Sequence, residues 1–412
     1  MRNYILIAIE IVIFCAFLYS MNCFWFWNFR LPYFNICAVA LLLILRTIDK
    51  KAFIFKPRNF YIPIVFFIAQ IFGNDALSET GKLLGAIIYS IAVWLVLSLN
   101  GNLQARMFNF IYSKLAIILT ISLLTFFLVL LGIPLPDFGR ISHPTLDFYR
   151  YTNYGVLLYG AYGIRFNSIF CEPGHLGMIA AFLLFINGYN IKNKSTIVLL
   201  VSLLCTLSLA GYVLAAIGFI LLQMKRNFKT TLSHLVKVVL LFIAVYLFTS
   251  NYNNGNNLMN ELIFSRLEYD SQEGTIAGNN RASNSLKQYY ENLTPNEFLF
   301  GIGSKRYSDE ASDGLLSGAG YQLFIVIYGI AGIIAVLLFY LSIIYSNNKS
   351  VRTEYFFLLV LYALCFVQRS YPFWASEIFT FILANGGFQN RINFTKPRNE
   401  HENFNRKFCL LA

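Results

Sequence analysis

The sequence predicts an all-α integral membrane protein of about twelve transmembrane helices (ten to twelve), with both termini in the cytoplasm and two long extracytoplasmic loops. Three observations predict it. Of the 412 residues, 57% are hydrophobic and only 13% are charged, about half the charged share of a soluble domain. Apolar stretches long enough to cross a bilayer recur along most of the chain. Between them lysine and arginine gather in alternate connections, the pattern that marks cytoplasmic loops.

The first span is 4–22, and its stretch 4–20 has the look of a signal peptide. The residues after it, Met21-Asn22-Cys23-Phe24-Trp25, are too bulky for a cleavage site, so it reads as a retained helix. Spans 31–48 and 59–74 flank a connection carrying Arg46, Lys50, Lys51, Lys56 and Arg58, which belongs in the cytoplasm. Spans 82–99, 115–133 and 174–190 follow. The stretch from Ser195 to Gln223 is long for one helix and short for two, and Ser208, Gly211 and Gly218 stand where a break would fall. Charge decides it. Lys225, Arg226, Lys229 and Lys237, and the tail 389–412 with Arg391, Lys396, Arg398, Arg406 and Lys407, both share the side of loop 46–58 only if the chain crosses twice, at 195–208 and 209–223. Spans 235–250, 320–345, 353–368 and 372–388 complete one polytopic domain, 1–412. In this arrangement 21 of the 32 basic residues lie inside. Glu10 and Glu377 are left within spans, and Glu10 calls for a partner on a neighbouring span. The net charge of +12 fits basic cytoplasmic loops and does not require a nucleic acid. Seven scattered cysteines show no paired spacing, and no HExxH or carboxylate cluster suggests a metal.

Two outward connections, 134–173 and 251–319, are much longer than the rest, and long connections in a bundle tend to be functional. The first is rich in tyrosine and phenylalanine and carries Arg140, Arg150, Arg165, Asp137, Asp147 and Glu172. The second carries Arg266, Arg281, Lys287, Lys305 and Arg306 among nine acidic residues. Such mixtures suit sugar faces and hydroxyl groups, and equally suit any wet interfacial loop.

The first loop ends in RFNSIFCEPGHLGM, 165–178. Pro173 is placed as a first helical residue, with Glu172 before it and Gly174 opening the apolar run. A helix start exposes amides that attract an anion, and an arginine fork at 165 would add a bidentate grip on phosphate oxygens. Glu172 would be a poor phosphate ligand; it suits accepting a proton from a hydroxyl or holding an arginine in place. His175 either shares that work or is merely interfacial. In the second loop Arg281 precedes FLFGIG, Phe298 to Gly303, whose Gly301 and Gly303 read as a structural turn.

The pattern Arg165-x-x-Ser168-x-Phe170-x-Glu172-Pro173, the break Thr206-Leu207-Ser208 with Gly211 after it, the loop from Arg281 to Gly301-x-Gly303 and the following Gly329-Ile330-Ala331-Gly332 together resemble the O-antigen polymerase family over residues 160 to 345. The resemblance implies a metal-independent glycosyltransferase without cofactor in the bacterial inner membrane. Its substrates would be undecaprenyl-pyrophosphate-linked oligosaccharides, joined at the outer face into O-antigen, capsular or exopolysaccharide. A flippase and a chain-length regulator would be its partner proteins. Arg165 and Arg281 would bind pyrophosphate, supported by Arg140, Arg150, Arg266, Gly301 and Gly303, and Glu172 would orient or deprotonate the acceptor hydroxyl. The related ligases and many polymerases carry a histidine after the GxG turn. Here SDGLLSGAGYQLF has none, so the base falls to His175 or Glu172. Two other readings compete. An O-antigen ligase shares the arginine chemistry and differs in acceptor. A lipid-linked sugar transporter would need charge lining a path through the membrane, whereas here charge concentrates on one face.

Overall fold

Where a long run carries no charge and meets no water, the backbone can satisfy its amides only within itself, so each apolar run closes into helix. The computed structural model describes residues 1–72, 79–143, 146–226, 228–257, 259–270, 275–276, 282–311 and 318–395. Its helices are α1 (Arg2–Ser20), α2 (Leu31–Ile48), α3 (Tyr61–Ile71), α4 (Thr80–Leu97), α5 (Gly101–Leu130), α6 (Pro173–Asn187), α7 (Lys194–Cys205), α8 (Leu209–Arg226) and α9 (Phe228–Asn251). Three short helices follow, α10 (Asn284–Glu291), α11 (Pro295–Phe300) and α12 (Ser304–Ala311), and then α13 (Tyr321–Ser346), α14 (Lys349–Gln368) and α15 (Ala375–Thr395). Among the described residues α1, α2, α4, α5, α13 and α14 are each long and apolar enough to cross a membrane. The chain is an all-α membrane protein.

One helix is buried on every side. Each residue of α6 from Pro173 to Ile186 is buried, as expected of a helix apolar all round and enclosed by others. It packs against α5-side residues, α7, α8, α14 and α15. The approach of α8 is closest at two glycines: a Cβ on Gly211 would lie 3.0 Å from the Cα of Gly177. Small residues at such a crossing let two backbones meet. The expected break between 195 and 223 is present, with α7 ending at Cys205 and Leu207 at φ 47° before α8 begins.

Two buried carboxylates, Glu10 and Glu354, are paired with basic residues. Glu10 on α1 receives Arg106 of α5 through both carboxylate oxygens, at 2.6 and 3.2 Å. This pair lies on the part of α5 that precedes the apolar run 115–133, so the helix starts earlier than hydropathy implies. At the same end of the bundle Glu354 of α14 takes Lys225 of α8 and Arg391 of α15, tying three helix ends together.

The opposite end carries the long connections. The first of these is not all loop: β1 (Arg140–His143), β2 (Leu146–Asn153) and β3 (Leu158–Tyr159) form an antiparallel sheet in that order. The second contains α10 to α12, whose Leu286 and Ile302 pack with Val326 and Leu323 of α13. Helix α13 is interrupted at Gly329, where φ is 66° and ψ is −179°. The carbonyls of Val326 and Ile327 are thereby taken up by the amides of Ile302 and Gly303, at 2.8 and 3.2 Å. The GxG is thus a structural turn seated on the broken helix.

Candidate functional site

With fifteen residues at about 1.5 Å each, α6 is about 22 Å long, short of the roughly 30 Å hydrocarbon core. The segment leading into it therefore folds into the bundle, and Phe166 to Cys171 are all buried. Its path is fixed from three sides. Leu158 of β3 donates to the Ser168 carbonyl at 2.8 Å, Phe24 donates to the Ile169 carbonyl at 3.1 Å, and the Tyr151 hydroxyl donates to the Cys171 carbonyl at 2.7 Å. Ser168 accepts a left-handed φ of 54° to make this turn.

That segment carries Arg165 to the α7–α8 break. Phe166 N–H donates to the Cys205 carbonyl at 2.9 Å, and Arg165 Nε donates to the Thr206 carbonyl at 3.1 Å. The guanidinium lies 6.0 Å from the centre of the Tyr162 ring. A helix that stops short leaves carbonyls without intrahelical partners, and here an arginine takes one of them. Two sequence motifs, at Arg165 and Thr206, are thus joined at one place across 41 positions.

At the other end of the segment Glu172 caps α6, with Pro173 as its first residue. Its carboxylate Oε2 accepts from Arg369 Nη2 at 2.7 Å. Arg369, in the turn between α14 and α15, is only 5% exposed. Burial works against its charge, but the Glu172 carboxylate outweighs that and holds its pKa above the ordinary value. The guanidinium lies flat across Gly174, where a Cβ would overlap Nη2. His175 Nε2 stands 3.9 Å from the same Glu172 oxygen, an ionic contact only when the imidazole is protonated. Its ring meets Trp374 edge-on at 4.9 Å and Tyr371 at 5.7 Å, and those two rings stack on each other at 3.9 Å. The arrangement offers a fixed cation, a carboxylate that orients it and an imidazole beside both.

Of the residues singled out from the sequence, Arg165, Glu172 and His175 are gathered around the start of α6 and the α7–α8 break. The arginine that Glu172 holds is Arg369, not Arg165, because the loop delivers Arg165 to Thr206 instead. Arg140 and Arg150 stand exposed on β1 and β2. Gly301 and Gly303 serve α13. Arg281 and the side chain of Arg266 lie outside the described residues, as does the tail beyond Thr395. Arg369, Tyr371 and Trp374 were passed over. A basic residue in a short connection that the charge pattern assigns to the outside, against the usual bias, is the signal that could have marked them.

The Gly174 contact yields a measurable prediction. Alanine is a better helix former than glycine by about 1 kcal/mol. Gly174→Ala is nevertheless expected to lower the melting temperature of the purified protein, because it drives Arg369 off Glu172. In an Arg369→Ala background the same change is expected to be neutral or stabilising. Additive effects of the two substitutions would refute the contact.

Comparison with protein-family models, with curated proteins and with solved structures finds no match to this chain.

Proposed function

We propose that the chain is a polymerase of lipid-linked glycans, joining undecaprenyl-pyrophosphate-linked oligosaccharide repeats into O-antigen, capsular or exopolysaccharide at the outer face of the bacterial inner membrane. In this reading the twelve spans of the charge-based topology are assigned to the six long helices, the four shorter apolar helices α3, α6, α7 and α8, and α9 with α15. That topology puts both termini in the cytoplasm and the Glu172–Arg369 end outside. One observation carries the reading: the motif segment 165–175 is folded into the bundle with one guanidinium at the α7–α8 break and a second, buried guanidinium held at the start of α6.

In this reading the acceptor hydroxyl oxygen attacks the anomeric carbon of the donor and forms the new glycosidic bond. The bond from that carbon to the pyrophosphate oxygen breaks, and its electron pair leaves with the lipid pyrophosphate. Arg369 and Arg165 stabilise the charge that develops there, joined by Arg281 from the second loop, and fixed donors of this kind supply much of the barrier reduction in such reactions. Glu172, occupied by Arg369, sets that guanidinium in place. The hydroxyl proton passes to His175, whose imidazolium the Glu172 carboxylate then stabilises at 3.9 Å. The family's usual loop histidine is not needed.

The test is the size distribution of lipid-linked glycans in cells. Loss of the protein is expected to leave single repeats on the lipid. Arg165→Ala is expected to do the same at normal protein level, and Arg165→Lys to fail with it, since a planar fork is what bridges two phosphate oxygens. Full-length polymer from Arg165→Ala would remove the phosphate role, and full activity of Arg165→Lys would reduce it to a simple need for charge.

A further inference from the structure

Beside the Glu172–Arg369 cluster, and separated from His175 by one ring, the structure holds a cavity of ≈ 430 Å³. It is within the roughly 300–1,000 Å³ range of small-molecule sites. Its walls come from the end of α1, the α1–α2 turn, the first residue of α2, β1 and the turn before α15. The shared ring is Trp374, which meets His175 at 4.9 Å on one side and lines the cavity on the other.

The composition of the walls is specific. Tyr19, Phe26, Trp27, Phe373 and Trp374 supply aromatic surface. Asn22 and His143 supply the polar side, paired through the imidazole Nε2 at 2.9 and 3.2 Å. Burial lowers the His143 pKa from its ordinary value, opposed by the nearby Glu172 carboxylate. The indole N–H of Trp27 is buried and has no hydrogen-bond partner among the described residues. These walls are rigid: Trp27 packs edge-on against His143 at 5.0 Å, and the neighbouring Trp25 donates to the Gly155 carbonyl at 2.8 Å, fastening the turn to the sheet. Asn22 holds a left-handed φ of 58° in the same turn.

A lipid tail would leave the buried Trp27 N–H without an acceptor, which is costly. A pyrophosphate would find no lysine or arginine among the described residues that line it. A ring with apolar C–H faces and hydroxyl edges meets both kinds of surface at once. We propose that this cavity is a saccharide subsite, in which one sugar of the lipid-linked repeat lies between the rings of Trp27 and Trp374 with its hydroxyls toward Asn22 and His143. The assignment rests on the polymerase reading and adds to it the place where the glycan, as distinct from its diphosphate, is held. It gives the site a division of labour: guanidinium groups grip the carrier, and the aromatic cavity positions the sugar whose bond is made or broken.

The experiment compares two probes on the purified protein in lipid nanodiscs. One is the single-repeat lipid extracted from cells lacking this protein, and the other is sugar-free undecaprenyl pyrophosphate. Wild-type protein is expected to bind the first at least tenfold more tightly. Trp27→Ala is expected to remove that difference while leaving binding of the sugar-free carrier unchanged, which also shows that the variant is folded. Trp27→Phe, retaining a ring but losing the indole N–H, is expected to fall between the two. Equal binding of both probes by the wild type, or a Trp27→Ala variant that still discriminates tenfold, overturns the subsite. A wild type that binds neither probe overturns the polymerase reading, and the subsite with it.

Discussion

Arg369→Gln will stop chain extension, leaving single repeats on the lipid and lowering activity by at least a hundredfold. The argument has a stability part and a catalytic part, which must be separated. Arg369 is 5% exposed and its Nη2 lies 2.7 Å from Glu172, so removing the cation strands a carboxylate at the start of a buried helix. Breaking such a pair costs about 3–5 kcal/mol, enough to reduce the amount of folded protein. Glu172→Gln alone strands the guanidinium instead and is expected to cost a similar amount. The double variant Glu172→Gln with Arg369→Gln removes both charges and leaves two amides able to hydrogen-bond each other. It is expected to recover most of the melting temperature and the yield. On the polymerase reading it should not recover polymer, because the cation proposed to stabilise the leaving diphosphate is gone. Polymer of normal length from the double variant would mean that the pair only holds α6 in place.

That pair also shows where reading the sequence stopped short. Glu172 and His175 stood out because charge beside a proline at the head of an apolar run is conspicuous within a short window. Their partner is 197 positions away, in a turn of a few residues between two spans, and hydropathy treats such a turn only as a gap. Which distant arginine faces Glu172 depends on how α6, α14 and α15 pack, and no local pattern records that. Gly174 carries the one local trace of it. A glycine at the second helical position has no turn to make, and at Gly174 the space of a Cβ is taken by the Arg369 guanidinium.

The spans were legible for the opposite reason. A helix crossing a bilayer must satisfy its own backbone and present apolar side chains, so composition alone marks it. The break of 195–223 into two helices was readable as well, because Leu207 interrupts the helix where Ser208 and Gly211 suggested. The sheet β1–β3 was not. Its strands are short, its outer face is wet and its register depends on contacts with the segment 165–171 that it holds in place. Early extension of α5 to Gly101 was hidden too, since Arg106 lowers local hydropathy while its actual setting is a pair with Glu10.

Gly329→Ala will unfold the second half of the site's surroundings, with an expected loss of about 3 kcal/mol or more. The backbone at Gly329 has φ 66° and ψ −179°, and Gly301 opposite it has φ 76° and ψ 171°, a region open in practice only to glycine, with about 1–3 kcal/mol of strain for any other residue. Space closes the alternative of simply tolerating that strain. A Cβ on Gly329 would overlap the Leu299 carbonyl, and one on Gly301 would overlap the Ile327 carbonyl. Either substitution pushes the α11–α12 turn away from α13 and breaks the bonds from Ile302 and Gly303 to Val326 and Ile327. In a helix that meets lipid, carbonyls left without donors cannot turn to water, and each costs about 1–3 kcal/mol. The two glycines guard one interface, so the double variant Gly301→Ala with Gly329→Ala is expected to cost much less than the sum. Gly81, in α4 with open space around it, is the control, and its alanine variant is expected to melt at the wild-type temperature or above. Thermal melting of the purified proteins measures all four. Gly329→Ala with a wild-type melting point would show that α13 is continuous at this position and that the turn is not seated on it.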